Sequence, residues 1–168
     1  MKYIKKYNSF LKKAKNLGVE EAKIISTSTI EVANWVKWKC RYSCEDYGKN
    51  YTCPPNTPSV EETKKVLKEY DWALLLKGHN DPEMQKIVIE LEKYIFLAGY
   101  RKAFGLACGP CKDCGDCQEE CPKPSETRPS LESCGIDVYA TVRNNGYEID
   151  VLKDKSEIPD YYAMVLIE

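Results

Sequence analysis

Five of the seventeen residues in the stretch 107–123, ACGPCKDCGDCQEECPK, are cysteines: Cys108, Cys111, Cys114, Cys117 and Cys121. Cys40, Cys44 and Cys53 form a second group upstream, and Cys134 completes a total of nine. Thiols at such spacing are soft ligands for iron or zinc, and two of them a few residues apart can also exchange with a disulfide. The opening residues MKYIKKYNSFLKKAKN hold no apolar leader, and no apolar run approaches about 18 residues, so a cytoplasmic protein without a membrane segment is expected. In a reducing compartment an odd number of thiols is a poor disulfide framework, and metal binding becomes the leading expectation.

The register narrows the chemistry. Cys111-x2-Cys114-x2-Cys117-x3-Cys121-Pro122 is the run of bacterial-type ferredoxins, in which three thiolates hold one [4Fe-4S] cluster and the fourth ligates a neighbouring cluster. Ligand arithmetic then predicts a reciprocal exchange between two clusters. Cys111, Cys114, Cys117 and Cys53 would hold one; Cys121, Cys40, Cys44 and either Cys108 or Cys134 would hold the other. One cluster alone would leave Cys40, Cys44 and Cys53 for another role. Zinc is the rival, because two-residue spacings also suit a tetrahedral thiolate site. The unbroken series with short spacers favours a polynuclear centre. Lys112, Lys123, Arg41 and Arg128 would stabilise such an anionic centre, whereas Asp113, Asp116, Glu119 and Glu120 would lower its potential. Dithiol exchange without metal leaves the additional cysteines with no role.

The elements that must position these loops are legible from periodicity. Residues 5–15 read as a helix stopped by Gly18, 22–27 as a strand, and 29–40 as a helix carrying Trp35 and Trp38 into the core. The stretch 40–59 is a proline-rich loop, with Thr57 or Ser59 capping a helix that runs to about residue 69. Residues 72–76 form a buried strand, 83–97 the strongest helix with Pro82 in its first turn, and 102–107 a short strand leading into the cysteine run. A short helix over 129–134, a helix over 135–145 stopped by Gly146 and a last strand over 161–167 follow. The expectation is one α/β domain over 1–168, with about four strands flanked by about five helices and the cysteine loops, including the insertion at 107–123, at one end of the sheet.

Three stretches, YTCPP at 51–55, AFGLACGPCKDCGDCQEEC at 103–121 and RPSLESCGIDVYAT at 128–141, resemble a family of small cysteine-rich predicted metal-binding proteins of anaerobic archaea and bacteria. The resemblance covers nearly the whole chain. It implies a metal site without an assigned reaction, and it implies that the 128–138 segment belongs to that site with Cys134 as a ligand. Read from the residues alone, Arg128 makes a loop salt bridge and Ser130 a helix cap.

Three functions fit these residues. The first is an electron carrier or redox subunit with fully ligated clusters, docking to a redox protein or larger oxidoreductase. The second is an enzyme with an open iron site on Cys40, Cys44 and Cys53. The third is a zinc-stabilised interaction module. A net charge of -1 gives no general attraction for nucleic acid or an anionic membrane. The early lysines Lys2, Lys5, Lys6, Lys12, Lys13 and Lys15 read as a solvated helix face or a patch for an acidic partner. His79, the single histidine, reads as a turn residue, and Glu83, Glu90 and Glu92 as solvated helix carboxylates. Tyr42, Tyr47 and Tyr51 interleave the first cysteine group and would pack, exclude water or present a docking surface.

Overall fold

The computed structural model describes residues 4–78, 81–115, 117–118, 120–154 and 156–168, so His79, Asp116 and Glu119 lie outside the described residues. In chain order the elements are α1 (Asn8–Asn16), β1 (Glu21–Ser26), α2 (Asn34–Ser43), α3 (Val60–Leu67), β2 (Trp72–Gly78), α4 (Asp81–Leu97), β3 (Phe104–Leu106), α5 (Val138–Asn144) and β4 (Tyr161–Leu166), with short 3₁₀ turns between them. The expected α/β architecture holds: a four-stranded sheet of order β1-β2-β4-β3, accompanied by five α-helices among the described residues. Every neighbouring pair of strands is antiparallel, with Ile24 opposite Leu74, Leu75 opposite Met164, and Gly105 opposite Val165.

Side chains alternate across a strand, so the continuous apolar run of β2 serves both faces of the sheet. Leu74 and Leu76 pack with Phe10, Val88, Leu91 and Ile95 beneath α1 and α4. Ala73 and Leu75 pack with Leu67, Leu131, Ile136 and Val142 on the other face. Cys108 belongs to the first core and Cys134 to the second. The cysteines are therefore spread through the fold and not gathered at one end of the sheet, contrary to the sequence expectation.

Local chemistry fixes most boundaries. Ser59 opens α3 with a reciprocal capping box, its hydroxyl accepting from Glu62 N at 3.2 Å while the Glu62 carboxylate accepts from Ser59 N at 2.8 Å. Asp137 caps α5 through Ala140 N at 3.0 Å. The second helix departs from its periodicity. It begins at Asn34 because the preceding residues have tertiary partners: Glu31 N donates to Thr141 Oγ1 at 3.0 Å, and Val32 bridges Ile136. On this short surface helix Val36 faces inward, whereas Trp35 and Trp38 are 49% and 68% exposed, which corrects their assignment to the core.

Two close approaches set the frame around the thiols. A Cβ on Gly105 would collide with Val88 Cγ1, so glycine lets β3 lie directly against α4. Beside it the Glu92 carboxylate accepts from Gly105 N at 2.6 Å and takes a fork from Arg128 Nε and Nη2, each at 2.6 Å. Glu92 is therefore a buried tie between helix, strand and loop, not a solvated helix carboxylate. Two of the early lysines are also engaged: Lys6 with Glu168 at 2.6 Å and Lys13 with Glu90 at 2.5 Å. No described helix is long and apolar enough to cross a membrane.

Candidate thiol-lined pocket

Cys40 lies in the last turns of α2, and Cys44 is the residue at which that helix ends. Cys53 sits in a tight turn, donating its N–H to Asn50 O at 3.1 Å and offering its carbonyl to Asn56 N at 3.0 Å. The same turn is tied back by Gly48 N to Pro54 O at 2.8 Å and by Asn50 Nδ2 to Asp46 Oδ1 at 3.3 Å. Cys108 follows β3 where Ala107 pairs with the 129–131 segment, through Ala107 N to Pro129 O at 2.8 Å and Leu131 N to Ala107 O at 3.0 Å.

These three segments bring Cys40, Cys44, Cys53 and Cys108 onto one cavity of about 340 Å³. Asp46, Glu132, Asp160, Ser130, Ser133 and the tyrosines Tyr47, Tyr139, Tyr161 and Tyr162 complete most of its polar wall. Burial pushes the Cys53 thiol up to about 11, reinforced by the charge of Asp46. Burial also raises Cys40, with Cys44 and Glu132 adding to the effect and Lys37 opposing it. Glu132 is itself raised by burial, against its own backbone and the Ser130 side chain. At neutral pH the cavity therefore presents Cys40 and Cys53 as protonated thiols.

Lys37 holds the chamber together. Its ammonium donates to Thr57 Oγ1 at 3.2 Å, Pro58 O at 2.9 Å and Ser133 O at 2.6 Å, and Thr57 Oγ1 itself donates to Ser133 O at 2.7 Å. Burial lowers the Lys37 ammonium, against the pull of Cys134 and Cys40. The clamp joins α2 to the loop before α3 and to the 3₁₀ turn Glu132–Cys134. Gly135, at φ 82°, closes that turn where a Cβ would crowd Val60 Cγ2 at 2.7 Å, and its carbonyl accepts from Ala33 N at 2.9 Å.

Cys111, Cys114, Cys117 and Cys121 stand around a different void of only about 20 Å³, shared with Asn50, Tyr51 and Thr127. It is tied to the 50–53 turn where Tyr51 N donates to Cys117 Sγ at 3.3 Å and Cys111 N donates to Thr52 Oγ1 at 3.1 Å. The turn of residues 50–53 thus separates the two groups, with Tyr51 on one and Cys53 on the other. Cys121 stays with its own run and Cys53 with Cys40 and Cys44, so the reciprocal exchange is not what the fold builds. Cys134 lines neither void. It is buried, its carbonyl accepts from Thr63 Oγ1 at 2.8 Å, and its thiol is pushed by burial up to about 11.

The metal expectations are corrected by the same geometry. Among the described residues no group of three or more histidine, cysteine, aspartate or glutamate side chains is arranged to hold a metal ion. The [4Fe-4S] assignment, the electron carrier built on it, the open iron site and the zinc module all fall with that finding. The expected counter-charges are engaged elsewhere: Arg128 with Glu92, Lys123 with Glu126 at 3.8 Å, and Arg41 over the Tyr42 ring at 5.3 Å. Among the described residues no cysteine is in a disulfide.

The salt bridge expected of Arg128 is present, whereas Leu131, not Ser130, is the cap of the Glu132–Cys134 turn; Ser130 Oγ accepts from Ser133 N at 3.1 Å. Lys37, Glu92 and Tyr162 were not singled out by motif. Lys37 and Glu92 act through partners far away in the chain.

Fold and pocket define a small α/β protein with a partly open thiol-lined chamber at the junction of α2, the 50–56 turn and the end of β3, where Cys44 is exposed. Residues 23–167 match the profile of a family described as "Predicted metal-binding protein (DUF2284)", and the chain belongs to that family. No curated protein and no solved structure matches it. The family description implies a metal, but among the described residues no three histidine, cysteine, aspartate or glutamate side chains are arranged to hold one.

Proposed function

We propose that this protein binds a small molecule in the chamber lined by Cys40, Cys44, Cys53 and Cys108. The observation that carries this reading is the convergence of four thiols from three separately anchored segments onto one cavity of about 340 Å³, within the range of small-ligand pockets. Such a cavity, largely apolar in its walls but supplied with a few fixed polar groups, orients a ligand without needing a charged anchor. Protonated Cys40 and Cys53 are weak nucleophiles, which favours reversible, non-covalent binding over covalent catalysis.

Residues 1–168 act as one unit in this reading, and the run Cys111–Cys121 forms an outer thiol group that covers the 50–53 turn. A shallower groove of about 580 Å³, lined by Trp35, Lys39 and Arg143, meets the chamber across Cys40, Glu132 and Tyr139 and supplies its approach.

The test is a thermal-shift screen of uncharged small-molecule fragments, followed by alkylation mapping of the protein with each hit. Hits are expected to protect Cys40 and Cys53 while leaving the exposed Cys114 reactive. Hits that protect Cys114 and Cys53 equally, or a screen in which nothing protects Cys53, would overturn the reading.

A further inference from the structure

We infer that the outward face of α2 docks a helical segment of another protein, one that carries an apolar stripe flanked by acidic side chains. This face is opposite the chamber side of the helix, and its occupant does not depend on what the chamber binds.

The helix NWVKWKCRYS carries its largest apolar side chains outward. Val36, Lys37 and Cys40 form the inner side: Val36 is buried, Lys37 donates to Ser133 O at 2.6 Å, and Cys40 lines the chamber. The opposite side is aromatic. Trp35, Trp38 and Tyr42 follow one another at spacings of three and four, the two apolar positions of a heptad, and are 49%, 68% and 74% exposed. Together they leave on the order of 400 Å² of aromatic surface in water. That is one contiguous patch, not a scatter of single residues. A helix face kept for solvent would carry charged or polar groups at these positions. Tryptophan, tyrosine and arginine are the side chains enriched where proteins meet.

The charge pattern selects the occupant. Within α2 stand Lys37, Lys39 and Arg41, and no acid. Lys37 is held in the clamp, whereas Lys39 and Arg41 are exposed and flank the aromatic stripe, at the positions that set partner choice between paired helices. Among the described residues neither makes an ion pair, and the Arg41 guanidinium rests 5.3 Å from the centroid of the Tyr42 ring. A second copy of this chain would bring Lys39 and Arg41 against their own counterparts, in parallel or antiparallel pairing alike. That like-charge contact disfavours self-association. Two exposed cations on a short helix are also too few to follow a phosphate backbone, which is held by a longer track of them. Glutamate or aspartate at the flanking positions of a partner helix meets both cations while its apolar stripe covers Trp35, Trp38 and Tyr42.

The test uses the full chain and a fluorescein-labelled helical peptide of a few heptads, with leucine at its two apolar positions and glutamate at the flanking ones. A second peptide differs only in lysine at the flanking positions. Binding is read by fluorescence anisotropy. The glutamate peptide should bind about tenfold or more tightly than the lysine peptide, and added salt should weaken it. Trp38→Ala should weaken the glutamate peptide by about thirtyfold, the loss usual at an aromatic hot spot, without changing the circular dichroism of the protein. The double variant Lys39→Glu with Arg41→Glu should reverse the preference, so that the lysine peptide now binds more tightly. Equal binding of the two peptides, no binding of the glutamate peptide, or a preference that the double variant leaves in place overturns the inference. A Trp38-dependent dimer of the chain alone in analytical ultracentrifugation also overturns it and gives the face to a second copy.

Discussion

The two thiol groups share a residue type and little else. Cys40, Cys44, Cys53 and Cys108 come from three segments, the Cys53 and Cys108 segments tied by backbone hydrogen bonds and α2 by the Lys37 clamp, and they border a space large enough for a ligand. Cys111, Cys114, Cys117 and Cys121 come from one continuous run, meet the 50–53 turn through Tyr51 N to Cys117 Sγ and Cys111 N to Thr52 Oγ1, and enclose a space about the size of a single water. Close spacing in sequence thus yields the smaller void, and distant residues yield the larger one. A pocket needs walls from independently supported elements, and a single loop folding on itself has no second support.

The largest change should follow from cutting the support of the Cys108 wall. Glu92→Ala removes the acceptor of Gly105 N and leaves Arg128 unpaired at a largely buried site, an effect of about 3 kcal/mol on the scale of broken buried ion pairs. Urea unfolding should show it, and Cys108 alkylation should accelerate with it. A drop confined to the Cys111–Cys121 run would break the comparison.

Lys37→Met should come next. It keeps the aliphatic stem but leaves Pro58 O and Ser133 O without the ammonium, for a loss of about 2 kcal/mol. Its distinctive result is chemical: Cys40 and Cys53 should approach the reactivity of exposed Cys114, while Cys111 and Cys117 stay as they were.

Alkaline pH should also distinguish the buried thiols. Cys53 and Cys134 are raised from an ordinary 9.0 to about 11, so below pH 9 both folded and unfolded chains hold these protons and stability is unaffected. Between about pH 9 and 11 the unfolded chain releases them first, and stability falls with rising pH. Denaturant midpoints measured at pH 8, 9, 10 and 11 should decline through that window. Midpoints that rise there would contradict the burial of these thiols.

The smallest effect belongs to the outer run. Thr52→Ala removes the acceptor of Cys111 N and should cost about 1 kcal/mol locally. Faster amide exchange over 111–121, with little change at Cys53, would sharpen the contrast between the groups.

Much of the scaffold is legible in the sequence because it is local or periodic. The apolar runs of β2 and β4, the long α4, the serine cap of α3 and the glycine after α5 all act within a few residues of themselves. The start of α2 and the exposure of Trp35 and Trp38 were not legible, because the 31–32 segment is claimed by Thr141 and Ile136 more than a hundred residues away. The candidate site divides in the same way. Its residue type was plain, and the cysteines at 40, 44, 53 and 108 were all singled out. Their grouping was not, because ligand spacing along a chain says which thiols can meet and tertiary folding decides which do.

The most direct measurement is a high-resolution crystal structure of the protein as purified, without added ligand, inspected at the chamber. The account predicts an organic molecule seated among Cys40, Cys44, Cys53 and Cys108. An inorganic centre bonded to those four sulfurs, or a chamber filled by its own side chains, would contradict it.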